Sequence, residues 1–137
     1  MAGVLVDAGP LVALLDRSDQ HHRVCLEASK TIGGPLVSVW PAITEAMSLL
    51  AVSGEAQDAL WDLLATGAVV IAPLDQSDFP RMRELMRKYR DRPMDLADAA
   101  LVRVAERDKF RTIFTVDRSD FATYRPSRTW RFSIVPR

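Results

Sequence analysis

The sequence predicts a three-layer α/β/α sandwich with a mainly parallel central sheet, built as a single domain over residues 1–137. Three observations predict it. The runs Val4-Leu5-Val6, Leu36-Val37-Ser38 and Ala68-Val69-Val70-Ile71-Ala72 are short and apolar at nearly every position, as strands covered on both faces are. These runs alternate with helical segments, the pattern of βαβ crossovers. A chain of 137 residues is also long enough to bury a core without covalent staples.

Taken in order, Gly3 to Asp7 reads as a buried strand ending in an acid. Gly9-Pro10 then turns the chain into a short helix from Leu11 to Leu15. Asp19 is the expected cap of a second helix, Gln20 to Thr31, on which the adjacent His21 and His22 point to different faces and read as surface residues. Gly33-Gly34-Pro35 ends that helix, and Leu36-Val37-Ser38 is the second strand. A third helix starts near Pro41, a residue suited to a first helical position. After Ser53-Gly54 comes a helix from Glu55 to Ala65, with Leu60, Leu63 and Leu64 inward, and then the strand at 68–72. Ser77 or Asp78 opens a densely basic helix to about Arg90. Asp95 precedes a helical run through Arg107. Thr112 to Asp117 reads as a strand ending in an acid, and Thr129 to Val135, with Trp130, Phe132 and Ile134 alternating, as a final edge strand.

Composition is that of an ordinary globular protein, 48% hydrophobic and 26% charged. The single cysteine, Cys25, permits no internal disulfide and fits a reducing, cytoplasmic setting. The opening residues lack the charged and long apolar regions of a signal peptide. No apolar run approaches the roughly 18 residues a membrane span needs. Net charge is zero, but it is unevenly placed: residues 1–80 hold 3 Lys/Arg against 10 Asp/Glu, and residues 81–137 hold 15 against 8. A basic half can attract phosphate backbones even in a neutral protein, whereas arginines paired with local acids would be plain solvated surface.

The acids are the informative residues. Asp7 and Asp117 end strands, where open α/β sheets gather their ligands. Glu45 is the lone charge between Val39 and Val52 on a very apolar helix. Asp95 and Asp98 stand three apart at the start of another helix and so share a face. The Asp98 position continues into Val102 and Ala105, an apolar stripe that aims Asp98 toward the core. Each acid has an ordinary reading as well, Asp7 and Asp95 as helix caps, Asp98 as a first-turn acid and Glu45 as a surface residue. If they converge, the cluster would repel itself unless protonated or neutralised by a hard divalent cation such as Mg²⁺ or Mn²⁺. The two histidines and one cysteine have no zinc-ligand spacing.

Four blocks then resemble a known family. The run Val4 to Asp16, Ser38-Val39-Trp40-Pro41-Ala42-Ile43-Thr44-Glu45-Ala46, Met94-Asp95-Leu96-Ala97-Asp98-Ala99 and Thr115-Val116-Asp117-Arg118-Ser119-Asp120-Phe121 resemble PIN-domain ribonucleases of the VapC toxin type. They come in the family's order and spacing and cover essentially the whole chain. The resemblance implies an acidic quartet, Asp7, Glu45, Asp98 and Asp117, holding Mg²⁺ or Mn²⁺. It gives Asp95 as an additional acid of some members, and Thr115 as a small hydroxyl residue supporting the site together with Asp120. Ala8 departs from the pattern, since many members carry Thr or Ser beside the first acid. The activity implied is hydrolysis of RNA phosphodiester bonds by a metal-activated water, with Arg118, Arg87 and Lys88 as candidate RNA contacts. The partners implied are a VapB-type antitoxin and a second copy of the chain in a homodimer. Two rivals remain: a catalytically silent PIN fold that binds RNA or a partner, and aspartyl-phosphate chemistry with Asp7 as nucleophile. The latter lacks an acid at Gly9 and a lysine on the Thr112–Asp117 strand.

Overall fold

A computed structural model describes residues 3–137. Strands β1 (Val4–Val6), β2 (Leu36–Ser38), β3 (Val69–Ile71), β4 (Thr112–Phe114) and β5 (Ser133–Val135) form one sheet in the order β3-β2-β1-β4-β5. Every neighbouring pair is parallel. Around it lie α1 (Ala8–Leu15), α2 (His22–Ser29), α3 (Trp40–Leu49), α4 (Gly54–Ala65), α5 (Phe79–Lys88), α6 (Leu96–Asp108) and α7 (Arg118–Thr123). The expected three-layer parallel sandwich is therefore the observed one.

The pleat divides the core in two, because successive strand residues face opposite sides. Leu5, Val37 and Ile113 pack with Leu85, Leu101 and Phe121 on one face. Val6 and Phe114 pack with Leu11, Ile43 and Leu60 on the other. Helix α6 supplies the largest share of the first layer, with Ala97 to Val102, Val104 and Ala105 all buried. Strand order reverses direction at β1, with β2 on one side and β4 on the other. That switch point leaves a crevice at the carboxyl ends of β1 and β4, where neither crossover covers the sheet.

Several local expectations are corrected. Gly9 and Pro10 lie inside the first turn of α1, which begins at Ala8 with Asp7 as its N-cap. The first turn has no intrahelical carbonyl to serve, so a proline there loses no hydrogen bond. Asp19 does not cap a helix from Gln20; its carboxylate accepts the His21 N–H at 2.8 Å and shapes the turn before α2. His22 is half-buried rather than free on the surface, its Nδ1 lying 2.7 Å from the Ala13 carbonyl. Ser53 caps α4, so Gly54 belongs to that helix. The last strand is confined to Ser133–Val135, because Trp130 and Phe132 turn into the core before pairing starts. Among the described residues no helix is long and apolar enough to cross a membrane.

The start of α5 is more elaborate than a single cap. Asp78 is the residue before the helix, as expected, but its side chain makes no cap bond there; a 3₁₀ turn at Gln76–Asp78, itself capped by Asp75, leads into α5. The Asp75 carboxylate accepts the Ser77 N–H at 2.8 Å, and the Asp78 carboxylate accepts the Asp75 N–H at 3.0 Å. Asp78 is 1% exposed and is gripped from α6 by Arg103 Nε at 2.8 Å and Arg107 Nη1 at 3.0 Å. Burial pushes the Asp78 carboxyl up, but the Asp75 N–H and the two guanidiniums more than offset this and hold it below the usual range. Arg81 joins the same seam through Glu106 at 2.9 Å. Part of the basic segment is thus internal glue between α5 and α6.

Candidate active site

Asp7 and Asp98 form the centre. Both are buried, at 7% exposure each. The chain places Asp7 one residue past β1, where Oδ1 accepts the Ala8 N–H at 2.8 Å as the α1 cap and Oδ2 accepts the Thr115 hydroxyl at 3.2 Å. Asp98 sits in the first turn of α6, on the stripe continued by the buried Val102 and Ala105. Its Oδ2 accepts the Tyr124 hydroxyl at 2.8 Å, while its backbone N–H donates to Asp95 Oδ1 at 2.8 Å. Asp95 is therefore the cap of α6 and Asp98 the inward acid, two roles in one short motif.

Burial dominates the electrostatics. It pushes the Asp7 carboxyl up to about 6, with the Ala8 N–H working against it and the charges of Glu45 and Asp117 adding to it. The Asp98 carboxyl is pushed up to about 8 by burial, partly offset by the Tyr124 hydroxyl and reinforced by Asp7, Asp95 and Asp117. Glu45 and Asp117 are exposed on the rim, and both are raised, first by desolvation and then by neighbouring acids. The acids that the sequence scatters over more than a hundred residues thus feel one another's charge at one sheet edge. A pocket of uncompensated carboxylates in this state favours a bound cation.

Thr115 is a buried clamp. Its hydroxyl donates to Asp7 and accepts the Asp117 N–H at 3.0 Å, joining the ends of β1 and β4. Asp117 itself is not the last residue of a strand, as β4 ends at Phe114; it occupies the cap position of α7 with no side-chain cap bond. Gly9 lets this loop close down, since a Cβ there would meet Val116 Cγ2 at 2.7 Å. Asp120 is tied to Arg92 at 2.8 Å and acts on the site through its charge at Asp117. Ala8, the departure from the family pattern, is buried in α1 and presents no hydroxyl.

Of the candidate RNA contacts, Arg118 donates to the Pro136 carbonyl. Lys88 lies 5.2 Å above the Tyr89 ring. Arg87 is exposed and lines an open cleft. Sequence reasoning missed Tyr124, whose partner is 26 residues away, and Ser38, whose hydroxyl donates to the Val6 carbonyl at 2.9 Å and ties β2 to the end of β1. No local pattern marks either contact.

The donor set is all oxygen, which suits a hard cation such as Mg²⁺ or Mn²⁺. Among the described residues no group of three or more His, Cys, Asp or Glu side chains forms a ready coordination shell. Mg²⁺ commonly takes one or two carboxylates and keeps several waters, so two buried acids ringed by rim acids still fit it. Beside the acids a groove of about 590 Å³ runs between α3 and the start of α6, lined by Trp40, Glu45, Leu49, Asp95 and Leu96.

Comparison with known proteins extends this picture. The family model described as "PIN domain" matches residues 4–125. The chain is 30% identical over 135 residues to Ribonuclease VapC26 of Mycobacterium tuberculosis, covering 97% of this chain and 100% of that protein. In structure it resembles M. tuberculosis VapC20, described as a sarcin–ricin-loop-cleaving toxin, with a TM-score of 0.77 at 17% identity, over 91% of this chain and 98% of that one. A toxin–antitoxin complex from Klebsiella pneumoniae matches with a TM-score of 0.68 at 19% identity, over 90% and 98% of the two chains.

Proposed function

The chain belongs to the PIN-domain family and to its VapC-type branch, and on that footing we propose that it is a divalent-metal-dependent endoribonuclease, the toxin of a toxin–antitoxin pair. The observation that carries the reading is the pairing of Asp7 and Asp98, two buried carboxylates whose proton affinities are raised, Asp98 in part by the charge of Asp7. Structural caps alone would not need to be held inward against that cost. Asp7 and Asp98 hold the cation, and Glu45 and Asp117 complete the quartet from the rim. When bound, Mg²⁺ or Mn²⁺ supplies charge compensation for a phosphoryl group and lowers the pKa of a water. Thr115 keeps the Asp7 carboxylate in place, Tyr124 turns the Asp98 carboxylate, and Asp95 fixes the start of the helix beneath it.

RNA is the proposed substrate and the cytoplasm the proposed place of action. A VapB-type antitoxin and a second copy of the chain are the proposed partners. The direct test is RNA cleavage with Mg²⁺ or Mn²⁺, with EDTA, and by the Asp7→Asn variant. Cleavage is expected in the first condition and at least a thousandfold less in the other two. Undiminished cleavage in EDTA would remove the metal from the reading. An intact fold that cuts no RNA under any condition would favour the silent binding module.

Tyr124→Phe tests the support of the central acid. The Tyr124 hydroxyl stabilises the Asp98 carboxylate, so its loss raises that carboxyl further and weakens its hold on a cation. The expected result is a Mg²⁺ requirement raised about tenfold or more, in the range of about 10–100-fold seen when an outer partner of a metal ligand is removed. Cleavage at saturating Mg²⁺ should be largely retained. An unchanged Mg²⁺ titration would make Tyr124 a packing residue only.

A further inference from the structure

The basic face of α5 is not used by the chemistry above, and it separates into two kinds of arginine. Arg81 is paired with Glu84 and Glu106, and Met82, Leu85 and Tyr89 point into the core. Arg83, Arg87 and Arg90 are exposed and make no ion pair among the described residues. Phe79, Arg83 and Arg87 recur at i, i+4 and i+8, so they lie on one helix face. The stripe from Phe79 to Arg87 is roughly 12 Å long at about 1.5 Å per residue.

This stripe lines a cleft of about 510 Å³ whose opposite wall is Leu96. Leu96 is also a wall of the groove that holds Glu45 and Asp95. The two concavities therefore adjoin at Leu96 and form one path from the acids to the arginines. Flat apolar surface is exposed along it: Trp40 is 54%, Phe79 53% and Leu96 51% accessible. Unpaired guanidiniums interleaved with exposed aromatic faces suit a polyanion that also carries stackable rings. An acidic peptide would use the charges but not the rings.

We propose that this path is the binding track for single-stranded RNA, with Arg83, Arg87 and Arg90 on its phosphates and Trp40 and Phe79 as stacking surfaces beside the cleavage site. The proposal rests on the ribonuclease reading, whose acids set where the track ends. It assigns Lys88 and Arg118 no place on the track, since Lys88 lines a separate cleft with Arg125 and Arg128 and Arg118 is engaged by Pro136.

The test uses the full chain carrying Asp98→Asn, so that a short fluorescent single-stranded RNA of mixed sequence stays intact while its Kd is measured at several salt concentrations. Adding R83A, R87A and R90A together is expected to weaken binding at least tenfold and to reduce the salt slope by about two, as for three lost single-strand phosphate contacts. W40A and F79A are expected to weaken binding about fivefold or more each, with the salt slope unchanged. R125A with R128A, in the other cleft, should leave Kd within about twofold. The single substitution R87E keeps the question open to measurement if the triple variant loses its fold. Wild-type affinity and slope in the arginine variants would overturn the track. So would an equal loss in R125A with R128A, which would mean only diffuse charge. RNA affinity indifferent to W40A and F79A, coupled to a dimer that falls apart in them, would assign the face to a second copy instead. Cleavage that survives Asp98→Asn sinks the ribonuclease site but not the binding map, and binding indifferent to the arginines does the reverse.

Discussion

Asp98→Asn is expected to remove RNA cleavage by at least three orders of magnitude while making the metal-free protein more stable. The two effects come from the same carboxylate. Its folded value of about 8 lies far above the ordinary 3.8, so the folded chain holds the proton more tightly than the unfolded chain does. The contribution of Asp98 to the stability of the metal-free protein is therefore greatest below about pH 4 and declines as pH rises toward 8, with Asp7 adding to the decline up to about pH 6. Asparagine keeps an acceptor for the Tyr124 hydroxyl and never ionises. At neutral pH it should raise stability by about 1–3 kcal/mol, or several degrees in Tm, and flatten the pH dependence. Saturating Mg²⁺ should stabilise the parent chain by mass action and the variant far less. Thermal melts at pH 5 and pH 8, with and without Mg²⁺, read all of this. A variant less stable than its parent in EDTA would show that the charge of Asp98 is already compensated, and the metal argument would lose its basis.

Asp78→Ala should give the largest loss of stability away from the site. Asp78 is 1% exposed, accepts the Asp75 N–H, and pairs with both Arg103 and Arg107. Removing it strips both guanidiniums of their buried anion, leaving Arg107 only Asp108 at 2.8 Å and Arg103 only Glu106 at 3.4 Å, and undoes the turn that leads into α5. Breaking one side of a buried pair costs about 3–5 kcal/mol, which corresponds to a fall in Tm of about 10–20 °C for a domain of this size. Asp78→Asn retains an acceptor for the Asp75 N–H and should lose about half as much. The Asp78 carboxyl is held low, so its contribution is present above about pH 4 and lost as acid protonates it. The alanine variant should accordingly lose part of the parent's acid sensitivity. A loss under about 1 kcal/mol by denaturant titration would mean that the arginines find equivalent partners in solvent.

What could be read before folding, and what could not, follows from how local each signal is. The central position of Asp98 was legible because the positions four and seven residues on, Val102 and Ala105, are apolar, and α6 buries that face as expected. Asp7 was legible as the end of an apolar run, although its helix starts at Ala8 and not after Pro10. The opening of α5 at Asp78 was legible, but the 3₁₀ turn before it was not, because Asp75, Ser77 and Asp78 are all good caps and only the reciprocal bond between Asp75 and Asp78 shows that a separate turn precedes the helix. The contact of Tyr124 with Asp98 leaves no trace in either residue's neighbourhood. The arginines show the limit most plainly. Counting them gives a basic half, but only tertiary pairing separates Arg81, Arg103 and Arg107, which bind α5 to α6, from Arg83, Arg87 and Arg90, which face outward.

The Thr115 clamp has a consequence for the order in which the molecule comes into being. Its bond to Asp7 closes a span of 108 residues, and the bond of Tyr124 to Asp98 cannot form until the chain beyond α7 exists. On a ribosome the first strand and its acid emerge early, yet they wait for the last quarter of the chain before a complete pocket can form. A nascent chain of this protein accordingly has no assembled acid pocket until residues 115–124 have emerged. Its acids come together only when the newest segment lies down beside the oldest.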